Sequence, residues 1–272
     1  MIRDGGDRVL VVLHSVVTDA GVIAAAEHLV AGDAVLRYLR VVPRTTAFTQ
    51  VLSPAPLLPG EPSAQPPLRI VAAGDDMTTT ILDLSRELRI TLLAIGDPPP
   101  GKHRPAELRK ALPRLLVAGS APILYVPPAS RGARDDLRRI LVVLHAPYPA
   151  ADILEAAVPL ARRSHAELMI LALPSARPLI SDQVAGTSAA FSPFDPIAWL
   201  EREIARRGVR ARRVDGDQSP AECVVERAST LHADLVVAGA GFADVRVGWR
   251  RRRLIDLVAP RLSCPMLFSR CA

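Results

Sequence analysis

The segment RVLVVLHS, Arg8–Ser15, returns almost letter for letter as RILVVLHA, Arg139–Ala146, 131 residues later. Self-similarity at a fixed spacing marks a duplicated unit, and the landmarks that follow agree. An Ala-rich helical pattern follows each copy, at Asp19–Val30 and at Ala150–Arg163. A second apolar run ending in proline then follows, Val35–Pro43 and Leu168–Pro174, still offset by 131. Further on the offset grows to 142 for Gly74 and Gly216, and to 143 for Gly96 and Gly239 and for Pro122 and Pro265. About eleven extra residues of the second copy therefore fall between its second and third strands, where a helix reads over Pro196–Arg207. The first copy has Pro43–Pro67 there, rich in Pro, Ser and Thr. Proline removes helical donors, so this stretch reads as an irregular loop.

Within each copy, strand and helix patterns alternate. In the second copy strands are expected near Arg139–His145, Glu167–Leu173, Val209–Val214, Asp234–Ala238 and Pro265–Phe268, with helices between them, among them Pro220–Leu231 and Arg252–Leu262. Runs such as LVVAG and ILVVL are apolar throughout, as suits a parallel sheet covered on both faces. The fold class is α/β, with two tandem Rossmann-like domains over residues 1–128 and 137–272. Their boundary is Pro127–Asp136, PPASRGARDD, which has linker composition. Each copy ends in a short apolar strand, PILYV at Pro122–Val126 and PMLF at Pro265–Phe268. An uncovered apolar edge is a pairing hazard, so the two final strands are expected to cover each other in a pseudo-two-fold pair.

At 272 residues and 49% hydrophobic the chain can bury two cores, but with 4% aromatics they must be built from Ala, Val, Leu and Ile. No apolar run approaches the roughly 20 residues of a membrane span. Arg3, Asp4 and Asp7 precede the first apolar run, unlike a secretory signal. Cys223, Cys264 and Cys271 lack metal-ligand spacing and suit a reducing compartment, so a cytoplasmic location is expected. The formal charge is +6 and the pI near 9.9, which invites a nucleic-acid reading. Against it, the arginines alternate with Asp and Glu along helical segments, and stacking aromatics are few. Arg250–Arg253 is the one dense basic cluster.

LHADLVVAGAG at Leu231–Gly241, SCPMLF at Ser263–Phe268 and GDQSPAECVVERAS at Gly216–Ser229 together resemble the universal stress protein family. The likeness runs through nearly all of the second half and, in the first, through the first two strands and Gly74–Val126. It implies a five-stranded parallel sheet of order 3-2-1-4-5 in each domain. Many members bind ATP through Gly-x2-Gly-x9-Gly-[Ser/Thr] after the fourth strand, where glycine admits the phosphates and a helix start holds the anion. On the second copy this pattern falls on Gly239, Phe242, Arg252 and Arg253, with Gly241 beside it; on the first it falls on Gly96, Pro99, Arg109 and Lys110. Pro99, in the DPPPG run, withdraws donors, so the first site reads as lost. Phe242 is expected to fill space that a phosphate would need. Where the family tends to place an aspartate at the end of its first strand, this chain has His14 and His145.

Two readings of the second copy stay open. Arg252 and Arg253 reach solvent or an acidic neighbour, or they join Arg250 and Arg251 in an anion clamp at the start of the fourth helix. The candidate ligand-binding set is His145, Gly239, Gly241, Arg252 and Arg253, with no cofactor or with ATP or another adenine nucleotide bound. No nucleophile elbow accompanies either histidine, and hydrogen-bonded structural roles are the simpler account of both. His28, His103, His165 and His232 are scattered without metal spacing. Asp75, Asp76, Asp215 and Asp217 are read as caps of the helices that follow them. The leading function is a non-catalytic sensor or adaptor, whose partner is a small anionic ligand or a protein; a homodimer is compatible with it, and membrane insertion is not. The competing classes are a nucleotide-hydrolysing enzyme of the related α/β superfamily and a basic nucleic-acid-associated protein.

Overall fold

A computed structural model describes residues 7–13, 20–30, 34–42, 68–73, 76–96, 107–127, 129–130, 137–145, 150–173, 196–216, 219–247 and 252–269. The first half runs β1 (Arg8–Leu13), α1 (Ala20–Leu29), β2 (Val35–Val42), β3 (Leu68–Ala73), α2 (Met77–Glu87), β4 (Leu92–Gly96), α3 (Glu107–Ala118) and β5 (Ile123–Val126). The second runs β6 (Arg139–Leu144), α4 (Ala150–Ser164), β7 (Glu167–Ala172), α5 (Pro196–Arg206), β8 (Ala211–Val214), α6 (Pro220–Thr230) and β9 (Leu235–Gly239). A 3-10 turn, Ala240–Asp244, leads into the short strands β10 (Arg246–Val247) and β11 (Arg252–Arg253), then α7 (Leu254–Val258) and β12 (Met266–Ser269). The segments 43–67 and 174–195, the loop expected at Pro43–Pro67 among them, lie outside the described residues.

Ten strands form one sheet in the order β3-β2-β1-β4-β5-β12-β9-β6-β7-β8. Each half has the order 3-2-1-4-5 with parallel neighbours, and the halves join where β12 meets β5 antiparallel. In that join Leu267 faces Leu124, Met266 faces Tyr125 and Phe268 faces Ile123. Leu124 and Leu267 are the same position of the repeat, so the pseudo-two-fold axis passes between them. The expected mutual cover of the terminal strands is therefore the arrangement found.

Strand alternation sends successive side chains to opposite faces, and the core has two layers accordingly. Leu10, Val12, Leu39, Tyr125, Leu141, Val143, Met266 and Phe268 belong to one layer, under α2, α3, α6 and α7. Val9, Val11, Tyr38, Leu124, Ile140, Val142, Ile170 and Leu267 belong to the other, under α1, α4 and α5. Both layers continue from one half into the other. On the second face the Arg163 guanidinium of α4 also donates to the Leu29 carbonyl of α1.

The register corrects the repeat in one respect. Val11 pairs with Tyr38, whereas Val142, its equivalent, pairs with Ile170. Tyr38 thus matches Ile170 and not Met169, a slip of one residue against the spacing of the prolines. A slip of one in a strand exchanges its faces, so the first copy must be one residue shorter than the second between its first two strands, where α1 is also the shorter helix.

Four helices end alike. Arg89, His165, Gly208 and His232 follow α2, α4, α5 and α6 with φ between 50° and 74°. The next amide in each case reaches back to the helix, as Ala233 N–H does to Ala228 O at 2.9 Å and Ala166 N–H to Ala161 O at 2.9 Å. This left-handed closure turns the chain at once into the next strand.

Gly96 ends β4 under α1. A Cβ there would lie 2.4 Å from Val22 Cγ2 and 3.2 Å from the Val126 carbonyl. Gly96→Ala is expected to lower stability by about 1–3 kcal/mol through overpacking. Urea unfolding measures this, and an unchanged midpoint would show that α1 does not depend on that close approach.

Candidate functional site

In each half the chain leaves its first strand toward one neighbour and returns on the other side: β6 is flanked by β7 and β9, and β1 by β2 and β4. Such a switch point opens a crevice beyond the carboxyl ends of the strands, where ligands of open α/β sheets bind. Val143 of β6 pairs with Ala238 of β9. His145 and Gly239, one or two residues further along, therefore stand next to each other at the mouth of the second crevice. Gly239 is buried, whereas His145 and Gly241 are half-buried. In the first half Gly96 holds the matching place, but it is filled from α1 by Val22. His14, Pro99 and the loop following Gly96 lie outside the described residues, as do the side chains of Arg109 and Lys110.

After Gly239 the chain makes its 3-10 turn, and Phe242 does not stand in the crevice as the sequence suggested. Its ring is 1% exposed, packed in the core with Phe268 at 6.4 Å between centroids and tilted by 44°. Burial draws it inward, while Gly241 beside it stays half-buried.

The fourth helix also departs from expectation. It begins at Leu254, not at Arg252, and runs for five residues before a 3-10 turn through Ala259–Arg261. Arg252 and Arg253 form β11, whose register sets Arg253 opposite Arg246 and Arg252 opposite Val247. Leu254 N–H donates to Val245 O at 2.7 Å and locks the base of this hairpin. The two arginines thus lie on a two-stranded ribbon instead of in a first helical turn, and the first amide of the helix is taken by Val245. Arg253 is half-buried just before α7. The Leu254–Val245 bond ties it to the turn that carries Gly241. Of Arg252 the backbone alone is described.

Most other charges have ordinary structural employment. Arg207 of the α5 end bonds Glu155 at 2.8 Å and Glu203 at 3.2 Å, and both hold its guanidinium above its usual pKa. Arg212 pairs with Glu167 at 3.1 Å and Arg213 with Asp215 at 3.3 Å on the outer strand β8. Arg261 forms a two-pronged pair with Glu222 at 2.7 and 2.8 Å. Asp76 caps α2 as expected, accepting from Thr78 N–H at 3.0 Å and Thr79 Oγ1 at 2.7 Å. The Thr79 bond, with help from Arg114, holds its carboxyl below the usual range. Asp215 stands apart from helix capping, and Ser219 takes the position before α6.

The other described histidines are placed away from the crevice. His165 and His232 are the left-handed helix ends described above, and His28 lies in the last turn of α1. At this amino end of the sheet Asp234 accepts from Arg138 N–H at 2.9 Å and Arg139 N–H at 3.0 Å. Its repeat equivalent, Thr91, accepts from Arg8 N–H at 2.9 Å and donates to Asp7 at 3.3 Å. Among the described residues no cluster of three metal-binding side chains occurs.

Sequence reading missed the tight approach at the end of β8. A Cβ on Gly216 would fall 2.0 Å from Cys223 Sγ. The signal was present as the glycine before the α6 start, but nothing in it named the cysteine as the neighbour.

Two doubly wound halves joined at one central antiparallel seam define the fold. No protein-family model matches the chain, and no curated protein matches it. Solved structures do. A universal stress protein from Archaeoglobus fulgidus DSM 4304 matches 98% of this chain and 97% of its own, with a TM-score of 0.60 and 12% identity. A functionally unknown protein from Pseudomonas aeruginosa PAO1 covers 97% and 92%, at 0.51 and 16%. The cytoplasmic domain of a prokaryotic cation chloride cotransporter covers 97% and 95%, at 0.54 and 12%. The chain has the universal stress protein fold, matched over its whole tandem length. Among the described residues no helix is long and apolar enough to cross a membrane.

Burial, and secondarily the charge of Asp234, push the Cys264 thiol up to about 12. It should resist alkylation at pH 8 in the folded protein and react only on unfolding, because the thiolate is the reactive form. Rapid native-state labelling, mapped by peptide mass, would contradict this.

Proposed function

We propose that the second half of the chain binds an adenine nucleotide or a related phosphate-bearing anion and acts as a sensor or adaptor without turning it over. The observation that carries this reading is the pairing of Val143 with Ala238. It sets His145 and Gly239 side by side at the switch point, in a crevice from which Phe242 has been withdrawn into the core. Gly239 and Gly241 would let a ligand approach backbone closely. His145 would face the ligand from β6, and Arg252 and Arg253 would add cationic hydrogen bonds from the ribbon.

In this reading residues 137–272 are the ligand-binding domain and residues 1–128 an eroded copy whose strand-end glycine serves packing. The sequence offers no nucleophile elbow to accompany His145, and the proposed role is binding without hydrolysis. The extensive pairing of arginines with carboxylates favours a small anion over a nucleic acid as partner. A cytoplasmic site of action suits such a ligand.

Calorimetric titration of the nucleotide-stripped chain with ATP, ADP, AMP and cyclic dinucleotides tests this. One site per chain is expected, weakened about a hundredfold or more when Arg252→Ala and Arg253→Ala are combined, as fits loss of two charge-assisted bonds of about 1.5–3 kcal/mol each. Absence of heat with every nucleotide, or affinity unchanged by the arginine substitutions, would sink the reading.

A further inference from the structure

The turn that carries Gly241 is held from the other half of the chain. Ala240–Asp244 packs against α3 of the first half and against α7 of its own. Phe242, its one large apolar side chain, shares a core layer with Ala111, Leu112 and Leu115 of α3 and with Leu254, Ile255 and Val258 of α7. Leu112, Leu115 and Leu254 are 0% exposed, so these contacts are fully desolvated. The two supports are unequal. α3 spans 12 residues, whereas α7 has five and ends in a 3-10 turn. A helix of little more than one turn has marginal stability of its own and cannot by itself fix the element packed on it. The backbone bond Leu254–Val245 joins α7 to the turn, so α7 and the turn would shift together. α7 is backed in turn by α6, and the Phe242 ring lies against Phe268 of β12; α3 is the support that comes from the other half.

We infer that α3 is the seat of the second half's crevice loop: Leu112 is a positioning residue that sets the conformation of Gly239–Asp244 across the pseudo-two-fold seam. The eroded first half is then retained as the partner that shapes its neighbour's site. The inference about positioning stands on packing alone; its consequence for ligand affinity rests on the nucleotide reading above.

Local amide hydrogen exchange, read by mass spectrometry on the full chain, tests positioning without any ligand. Leu112→Ala should accelerate exchange of the Gly239–Asp244 amides at least tenfold. Leu29→Ala is the control: it opens a similar cavity in the first half but on the opposite face of the sheet, and should leave those amides unchanged. Should Leu112→Ala fail to fold, Leu112→Val serves, with a smaller acceleration in the same peptide. Equal acceleration by the α1 and α3 variants, or none from either α3 variant, would overturn the inference. For ATP as probe, Leu112→Ala should weaken binding about tenfold while Leu29→Ala does not. Unchanged affinity in Leu112→Ala would overturn the coupling. No ATP heat in the unaltered chain would instead refute the nucleotide reading, and the exchange result would still decide the positioning.

Discussion

The antiparallel contact of β5 with β12 is the constraint on which the rest depends. Without it the chain would hold two five-stranded sheets, each with an apolar terminal strand exposed at its edge. With it, the main-chain groups of both strands enter one ladder, and each core layer continues through the seam. Phe268 and Tyr125, both fully buried, are interior residues only because the opposite half is in place. Removing a buried aromatic of this kind typically costs about 3–5 kcal/mol, a large fraction of the stability of an ordinary domain.

Much of this arrangement was legible in the sequence. The paired segments Arg8–Leu13 and Arg139–Leu144 are apolar throughout because both faces of a central parallel strand are covered, and that gave away the duplication. Helix and strand limits fell within a residue or two for most elements. Two features were not legible. The slip that aligns Tyr38 with Ile170 comes from one residue fewer between β1 and β2 than between β6 and β7, and proline spacing could not reveal which side of β2 faced which helices. Arg252 and Arg253 fall inside the helix expected over Arg252–Leu262, where the resembled family starts its fourth helix and where arginine has a fair local preference for helix. Pairing with Arg246–Val247 outweighed that local preference.

At the crevice the sequence could name residues but not directions. His145 and Gly239 were both singled out, and the strand register makes them neighbours. From its place in the chain, where a small residue would be wanted, Phe242 reads as an obstruction. Its ring is instead drawn into a layer of leucine, isoleucine and phenylalanine, a choice made by tertiary packing. The histidines outside the crevice show the same limit. A left-handed helix end such as His165 or His232 carries no marker when glycine does not occupy it.

The place where Leu124 meets Leu267 has an evolutionary consequence. In two separate identical chains a contact of this kind weakens on dilution, and every substitution appears on both sides. Here the strands share one polypeptide, so their local concentration is fixed by the tether and not by abundance. Mutations can then accumulate on one side alone. Thr91 and Asp234, equivalent positions that hold the same strand entry by different chemistry, are where the two halves differ in this way.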